Sequence, residues 1–135
     1  MQEKMISAGI VLALMFLLMV NVNKVYSQPQ TTEYNLVVKV IANEWRIVMA
    51  DDTSKSDVTV KRGDRIRWIV EGSDASFQFP DSRITGLSTR TVRDGNPLVL
   101  AISSEAPSGI HPYSVFIHKD FEYARGQSPP RIIIE

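Results

Sequence analysis

Gly109-Ile110-His111-Pro112-Tyr113-Ser114-Val115-Phe116-Ile117-His118 is the stretch whose reading decides the fold. Tyr113, Val115 and Ile117 alternate with Ser114, Phe116 and His118, the period of two that turns one set toward a core and the other toward solvent. The spacing predicts a single strand over 109–117, led in by a glycine and ending on a histidine. His111 and His118 are the chain's entire imidazole supply. They stand an odd seven residues apart, so on one regular strand they face opposite ways and share no metal.

Outward from this stretch, the same period recurs. Arg65-Ile66-Arg67-Trp68-Ile69-Val70 sets Ile66, Trp68 and Val70 against the arginines, and Arg62-Gly63-Asp64 before it reads as a tight turn in which the glycine takes positive φ. Further strands are predicted over 34–41, 44–50, 57–61, 76–79, 97–103 and 130–135, with a weaker one near 88–92. In 44–50, Trp45, Ile47 and Met49 form the inward set, and Arg46 and Val48 the outward one. Ala42-Asn43 is a turn, and 119–128 reads as a loop. The count is seven or eight short strands with no amphipathic helix, which predicts an all-β Greek-key sandwich of two antiparallel sheets.

The N-terminus belongs to a different class. Lys4 precedes 16 apolar or small residues, Met5 to Val20, and Val25 and Ser27 supply the small or aliphatic residues of a cleavage site after Ser27. Residues 1–27 therefore read as a signal peptide, or as an uncleaved membrane anchor. Residues 28–33 read as a flexible lead, and 34–135 as the domain. The apolar run is short of the roughly 20 residues that span a bilayer. An exported location follows, periplasmic or extracellular, with membrane contact only where 5–20 stays attached. Without Glu3, Lys4 and Lys24 the remainder carries a net charge of −1, which gives nucleic acid no basic face to bind. There is no cysteine, so no disulfide supports the fold and no thiolate is offered to a metal.

Two blocks carry a family resemblance. Val58-Thr59-Val60-Lys61-Arg62-Gly63-Asp64-Arg65-Ile66-Arg67-Trp68 is similar to the turn and aromatic strand of the cupredoxins, the plastocyanin and azurin family, and the Gly109–His118 block resembles their C-terminal copper motif. The resemblance implies a cupredoxin-like sandwich over about 34–135. In the family a cysteine precedes a histidine by three residues, a methionine follows about five later, and a first histidine lies about eight residues past the aromatic. Those four places hold Val115, His118, Tyr123 and Ser76 here. A type 1 copper centre needs the thiolate of its trigonal His₂Cys set, and an aliphatic valine offers no donor, so the resemblance implies the scaffold without its copper.

The remaining chemistry is sparse. No nucleophile elbow, His–acid spacing or phosphate-cradling loop occurs, which argues against an enzyme. Asp51-Asp52 reads as a solvated turn, and Arg65 with Arg67 as the solvent side of a sheet. The aromatic residues Phe77, Phe79, Tyr113, Phe116, Phe121 and Tyr123 either fill the core or form an apolar patch at the pole where relatives hold copper. The expected function is a non-enzymatic binding or accessory protein of the cell envelope with no cofactor. Ser76, Phe77, Val115, His118, Phe121 and Tyr123 form its candidate contact pole for a protein or small-molecule partner. The alternatives are a copper-handling protein that holds metal through His118 with Met49, Asp120 or Glu122, and a docking partner in an electron-transfer chain.

Overall fold

In Arg65-Ile66-Arg67-Trp68-Ile69-Val70 the three apolar residues of the inward set are fully buried and the others are exposed or half-buried, as a sheet with one face on a core requires. The computed structural model describes residues 30–126 and 129–135. The segment expected to be a signal peptide or anchor, the cleavage site expected after Ser27, and Gln127 and Ser128 lie outside the described residues. Among the described residues, no helix is long and apolar enough to cross a membrane.

Among the described residues, eleven strands follow in order: β1 (Glu33–Ile41), β2 (Glu44–Met49), β3 (Val58–Val60), β4 (Arg65–Val70), β5 (Ala75–Gln78), β6 (Thr89–Val92), β7 (Leu98–Ala101), β8 (Gly109–Pro112), β9 (Ser114–Ile117), β10 (Glu122–Tyr123) and β11 (Arg131–Ile134). They form three hydrogen-bonded sheets, ordered β2-β1-β4-β7, β10-β9-β5-β6 and β3-β11-β8. β1 runs parallel to β4, and β11 parallel to β3, while the other pairings are antiparallel. Inward residues of all three sheets meet in one core around Trp68, Phe77, Leu36, Ile66, Ile117 and Ile132. Each such side chain stabilises the fold by about 1.5–3 kcal/mol through burial.

The count exceeds the prediction for three reasons, the first being that the weaker strand near 88–92 is present as β6. The single strand expected over 109–117 is two, β8 and β9, which belong to different sheets. The strand is interrupted between them at Tyr113, whose N–H donates to the Pro130 carbonyl (3.0 Å) while β8 stays paired with β11. Pro112 favours this break, because it has no N–H to give to a continuous ladder. The loop expected over 119–128 contains β10, a two-residue strand paired with Phe116 and Ile117. The lead expected over 28–33 is tied down by its end: Thr32 donates to Asp64 Oδ1 (3.3 Å) and accepts from the Arg65 N–H (2.9 Å), and β1 begins at Glu33.

Turn chemistry fixes the register. β1 and β2 pair down to Ile41 opposite Glu44, leaving only Ala42 and Asn43 in the loop. Both take positive φ (50° and 65°), the two-residue turn whose twist matches that of the strands. Gly63 (φ 89°) makes the turn before β4, where Asp64 Oδ2 accepts from the Lys61 N–H (2.9 Å). One predicted placement differs. Val48 is buried although it points away from Trp45 and Ile47, beside its ladder partner Val37. His111, next to Pro112, is half-buried with Nε2 2.7 Å from the Pro107 carbonyl.

Candidate functional site

The β10-β9-β5-β6 sheet supplies the site, and its ladder says which side chains share a face. Tyr123 lies opposite Phe116, Phe116 opposite Ser76, and Ser76 opposite Thr91. One row along, Ser114 lies opposite Gln78 and Gln78 opposite Thr89. Between these rows the pleat turns the other way, with Phe77 and Val115 paired and wholly buried in the core. The seven residues of the two rows therefore make up the outer face of the sheet. None of them carries a formal charge.

Hydrogen bonds and ring contacts knit that face together. Ser76 Oγ sits 2.7 Å from His118 Nε2 and 3.1 Å from Thr91 Oγ1. Ser114 Oγ donates to Gln78 Oε1 (3.3 Å). The Phe116 ring meets Tyr123 edge-on at 5.2 Å and lies 6.0 Å from the His118 ring. Tyr123 remains 55% exposed, and Phe121, in the bend between β9 and β10, is 81% exposed with φ at 51°. A bulky side chain left in water on a left-handed backbone is costly on both counts, a combination concentrated at functional positions.

The end of the face is held by backbone groups. The His118 N–H donates to the Asp74 carbonyl (3.1 Å), and Ser73 Oγ accepts from the Lys119 N–H (3.0 Å). Asp74 Oδ1 accepts from the Asp94 N–H (2.9 Å), which ties β6 to the same corner. On the far side, residues 124–125 cross to the other large sheet. Arg125 donates its N–H to the Trp45 carbonyl (2.8 Å) and accepts from the Ile47 N–H (2.9 Å).

The expected contact pole is thus half assembled. Ser76 and His118 meet, Tyr123 joins them through Phe116, and Phe121 stands exposed at the neighbouring bend. Phe77 and Val115 do not belong to the surface: both are in the core, for the alternation that buries Tyr113 and Ile117 buries Val115 as well. Of the aromatic group, Phe77, Phe79 and Tyr113 pack around Trp68 at centroid distances of 5.5–5.8 Å and fill the core. Burial pushes the Tyr113 phenol above its ordinary range, opposed by the hydrogen bond that its oxygen accepts from Trp68 Nε1 (3.0 Å). Sequence reasoning missed Gln78, Ser114, Thr89 and Thr91. Their signal was the polar half of each alternating strand, which points to a shared face only once the pairing is known.

The donor set does not fit a type 1 copper ion. Val115 presents methyl groups to the core, His118 presents its ring to the opposite side of the strand, and its Nε2 is engaged by Ser76. The partners considered for His118 alone are otherwise occupied or scattered. Met49 packs against the core, and Asp120 Oδ2 accepts from Trp45 Nε1 (2.6 Å). Among the described residues, no group of three or more His, Cys, Asp or Glu side chains is placed to hold a metal. His111 and His118 lie on or beside strands of different sheets.

No protein-family model matches the chain, and no curated protein matches it. Similar solved structures include a copper(I) form of an amicyanin mutant, with 10% identity and a TM-score of 0.45 over 82% of this chain and 88% of that one. A reduced form of another amicyanin mutant gives the same identity, coverage and TM-score. Fet3p, a multicopper oxidase that functions in iron import, is similar at 16% identity and a TM-score of 0.46, over 78% of this chain. The chain spans about a quarter of Fet3p, 23% of its length. These similarities assign no role to any residue of this chain.

Proposed function

We propose that this protein is an exported, cupredoxin-like domain without type 1 copper that works by binding, with the outer face of β10-β9-β5-β6 as its contact surface. The observation that carries this reading is Tyr123 open to solvent beside Phe116, with Phe121 at the neighbouring turn, on two rows of uncharged residues bordered by the exposed Arg90 of β6 and Glu122 of β10. The outward positions of the β2-β1-β4-β7 sheet carry charge in the ordinary way, as Lys39 of β1, Arg46 of β2 and Arg65 and Arg67 of β4 do, and Arg46 lines, with Glu44 and Arg125, a cavity shared with Tyr123 and Ser114. Depletion of charge with exposed aromatic rings is the composition of interface centres rather than of idle surface. Export is supported by Lys4 and the apolar run from Met5 to Val20.

The test is retention on isolated cell-envelope material. The wild-type chain binds, and the double variant Tyr123→Ala/Phe121→Ala, in which both replaced side chains are solvent-exposed, loses most of that binding with an unchanged circular dichroism spectrum. Equal retention of the two proteins would end the reading. The copper-handling alternative asks His118 to give up its contact with Ser76. A Cu(II) titration followed by electron paramagnetic resonance decides it, a stoichiometric histidine-bound signal favouring copper.

A further inference from the structure

Beside Tyr123 the chain leaves a cleft of about 1020 Å³, whose lining includes Glu44 and Arg46 of β2, Glu122 and Tyr123 of β10, Ser114 and Arg125. Its charges are unevenly paired. Glu44 alone serves both guanidiniums, 3.8 Å from Arg46 Nη1 and 3.8 Å from Arg125 Nη1. That separation is too long for a hydrogen bond, so both forks keep their donors for a ligand or for water. Glu122, exposed on β10, makes no ion pair among the described residues. It stands three residues before Arg125, about 10 Å along an extended chain. Tyr123 adds main-chain groups between the two. Ala124 donates its N–H to the Val115 carbonyl (2.9 Å), in register with the pairs Tyr123–Phe116 and Glu122–Ile117. Hydrogen-bonded pairs alternate in an antiparallel ladder, so Tyr123 turns its own N–H and C=O away from β9. β10 ends its sheet on that side, which leaves this donor and acceptor without a neighbouring strand.

A simple anion would meet Glu122 as well as the arginines, and a neutral molecule would leave both kinds of charge to water. A short peptide with free ends answers each feature in turn. Its carboxylate offers acceptors to the guanidinium forks at the short range that Glu44 does not reach. Its ammonium answers Glu122, and its peptide units pair with the Tyr123 N–H and C=O as an added strand does. Three residues in extended form span about 10 Å, the separation of the two charged ends. We infer, on the binding reading above with Tyr123 as the shared contact, that this cleft takes a free peptide of about three residues. Its carboxylate lies toward Arg46 and Arg125, and its ammonium toward Glu122.

Trialanine with free ends, N-acetyl-trialanine and trialanine amide are the probes, each added at low ionic strength to the full chain labelled with nitrogen-15. Free trialanine shifts the amide resonances of Tyr123, Arg125 and Arg46 in a saturable way. Each capped form binds about ten-fold more weakly, the loss expected of one charge-assisted hydrogen bond. Arg125→Gln weakens free trialanine by a similar factor yet leaves the amide-capped form nearly unchanged, because the two changes remove the same contact. Glu122→Gln likewise weakens free trialanine and spares the acetylated form. The Trp68 and Tyr113 resonances hold their places in both variants as a check on the core. A silent titration overturns the inference, as do capped forms that bind as well as the free peptide, or shifts that map away from β10 and β2. If trialanine is silent while Tyr123→Ala/Phe121→Ala still loses envelope retention, the peptide assignment fails and the binding reading stands. If neither assay responds to these residues, both fail.

Discussion

Tyr113 stands between strands of two sheets, and its phenol oxygen accepts the hydrogen bond of the Trp68 indole N–H, 3.0 Å away in the core. Removing that oxygen leaves a buried donor unpaired, so Tyr113→Phe costs about 1–3 kcal/mol in urea unfolding. The same phenol ties stability to alkaline pH. Burial raises its folded pKa above the unfolded value, so the unfolded chain releases its proton first. The contribution is fully present below about pH 10, the ordinary tyrosine value, and is lost as pH rises beyond it. Ultraviolet titration therefore shows one phenol that ionises only as the chain unfolds, and Tyr113→Phe abolishes that phase. At Val115 the prediction concerns chemistry. Val115→Cys restores a sulfur to the sequence pattern but puts it in the core opposite Phe77, with His118 on the other side of the strand. Copper added to this variant gives no intense thiolate-to-copper absorption, and a blue protein would overturn the assignment of faces.

Among the elements, the β1–β2 hairpin makes a sharp case. Asn43 tolerates its left-handed backbone, whereas Ala42 at φ 50° gains nothing from a local side-chain bond. Ala42→Asn matches the turn better and raises stability by about 0.5–1 kcal/mol in chemical denaturation. Phe121 is the contrasting case, another positive-φ residue but with an exposed aromatic ring. Phe121→Gly relieves the backbone and adds chain entropy to the unfolded state, two terms that nearly cancel. The expected outcome is stability within about 1 kcal/mol of wild type together with weakened envelope retention. Much of this was legible in the sequence. The periodicity of 65–70 and the turn at Ala42-Asn43 were read from residues alone, because local alternation and turn chemistry are local facts. The break inside 109–117 was not, for a proline at a strand end and a proline at a sheet crossing leave the same trace. Two-residue β10 has no periodicity to detect at all.

For the whole molecule, the limits of the reading have one origin. Strand pairing is a long-range property, and the contact between Ser76 and His118 spans 42 residues. The family resemblance drew attention to both residues, yet it also grouped Val115 and Phe77 with them, where simple alternation assigns those two to the core. Pairing also concentrates the neutral outward residues of β5, β6, β9 and β10 on one side while leaving the arginines of β2 and β4 on another sheet.

The interruption at Tyr113 has a mechanical meaning as well. One continuous run of backbone is stitched into β11 on one side of it and into β5 on the other, so neither sheet can melt while its neighbour stays intact. Amide hydrogen exchange at the ladder-bonded amides of β8 and β9 should then proceed through a shared opening, with one protection free energy across both sheets. Two separate exchange plateaus on either side of Pro112 would mean that the shared strand acts as a hinge.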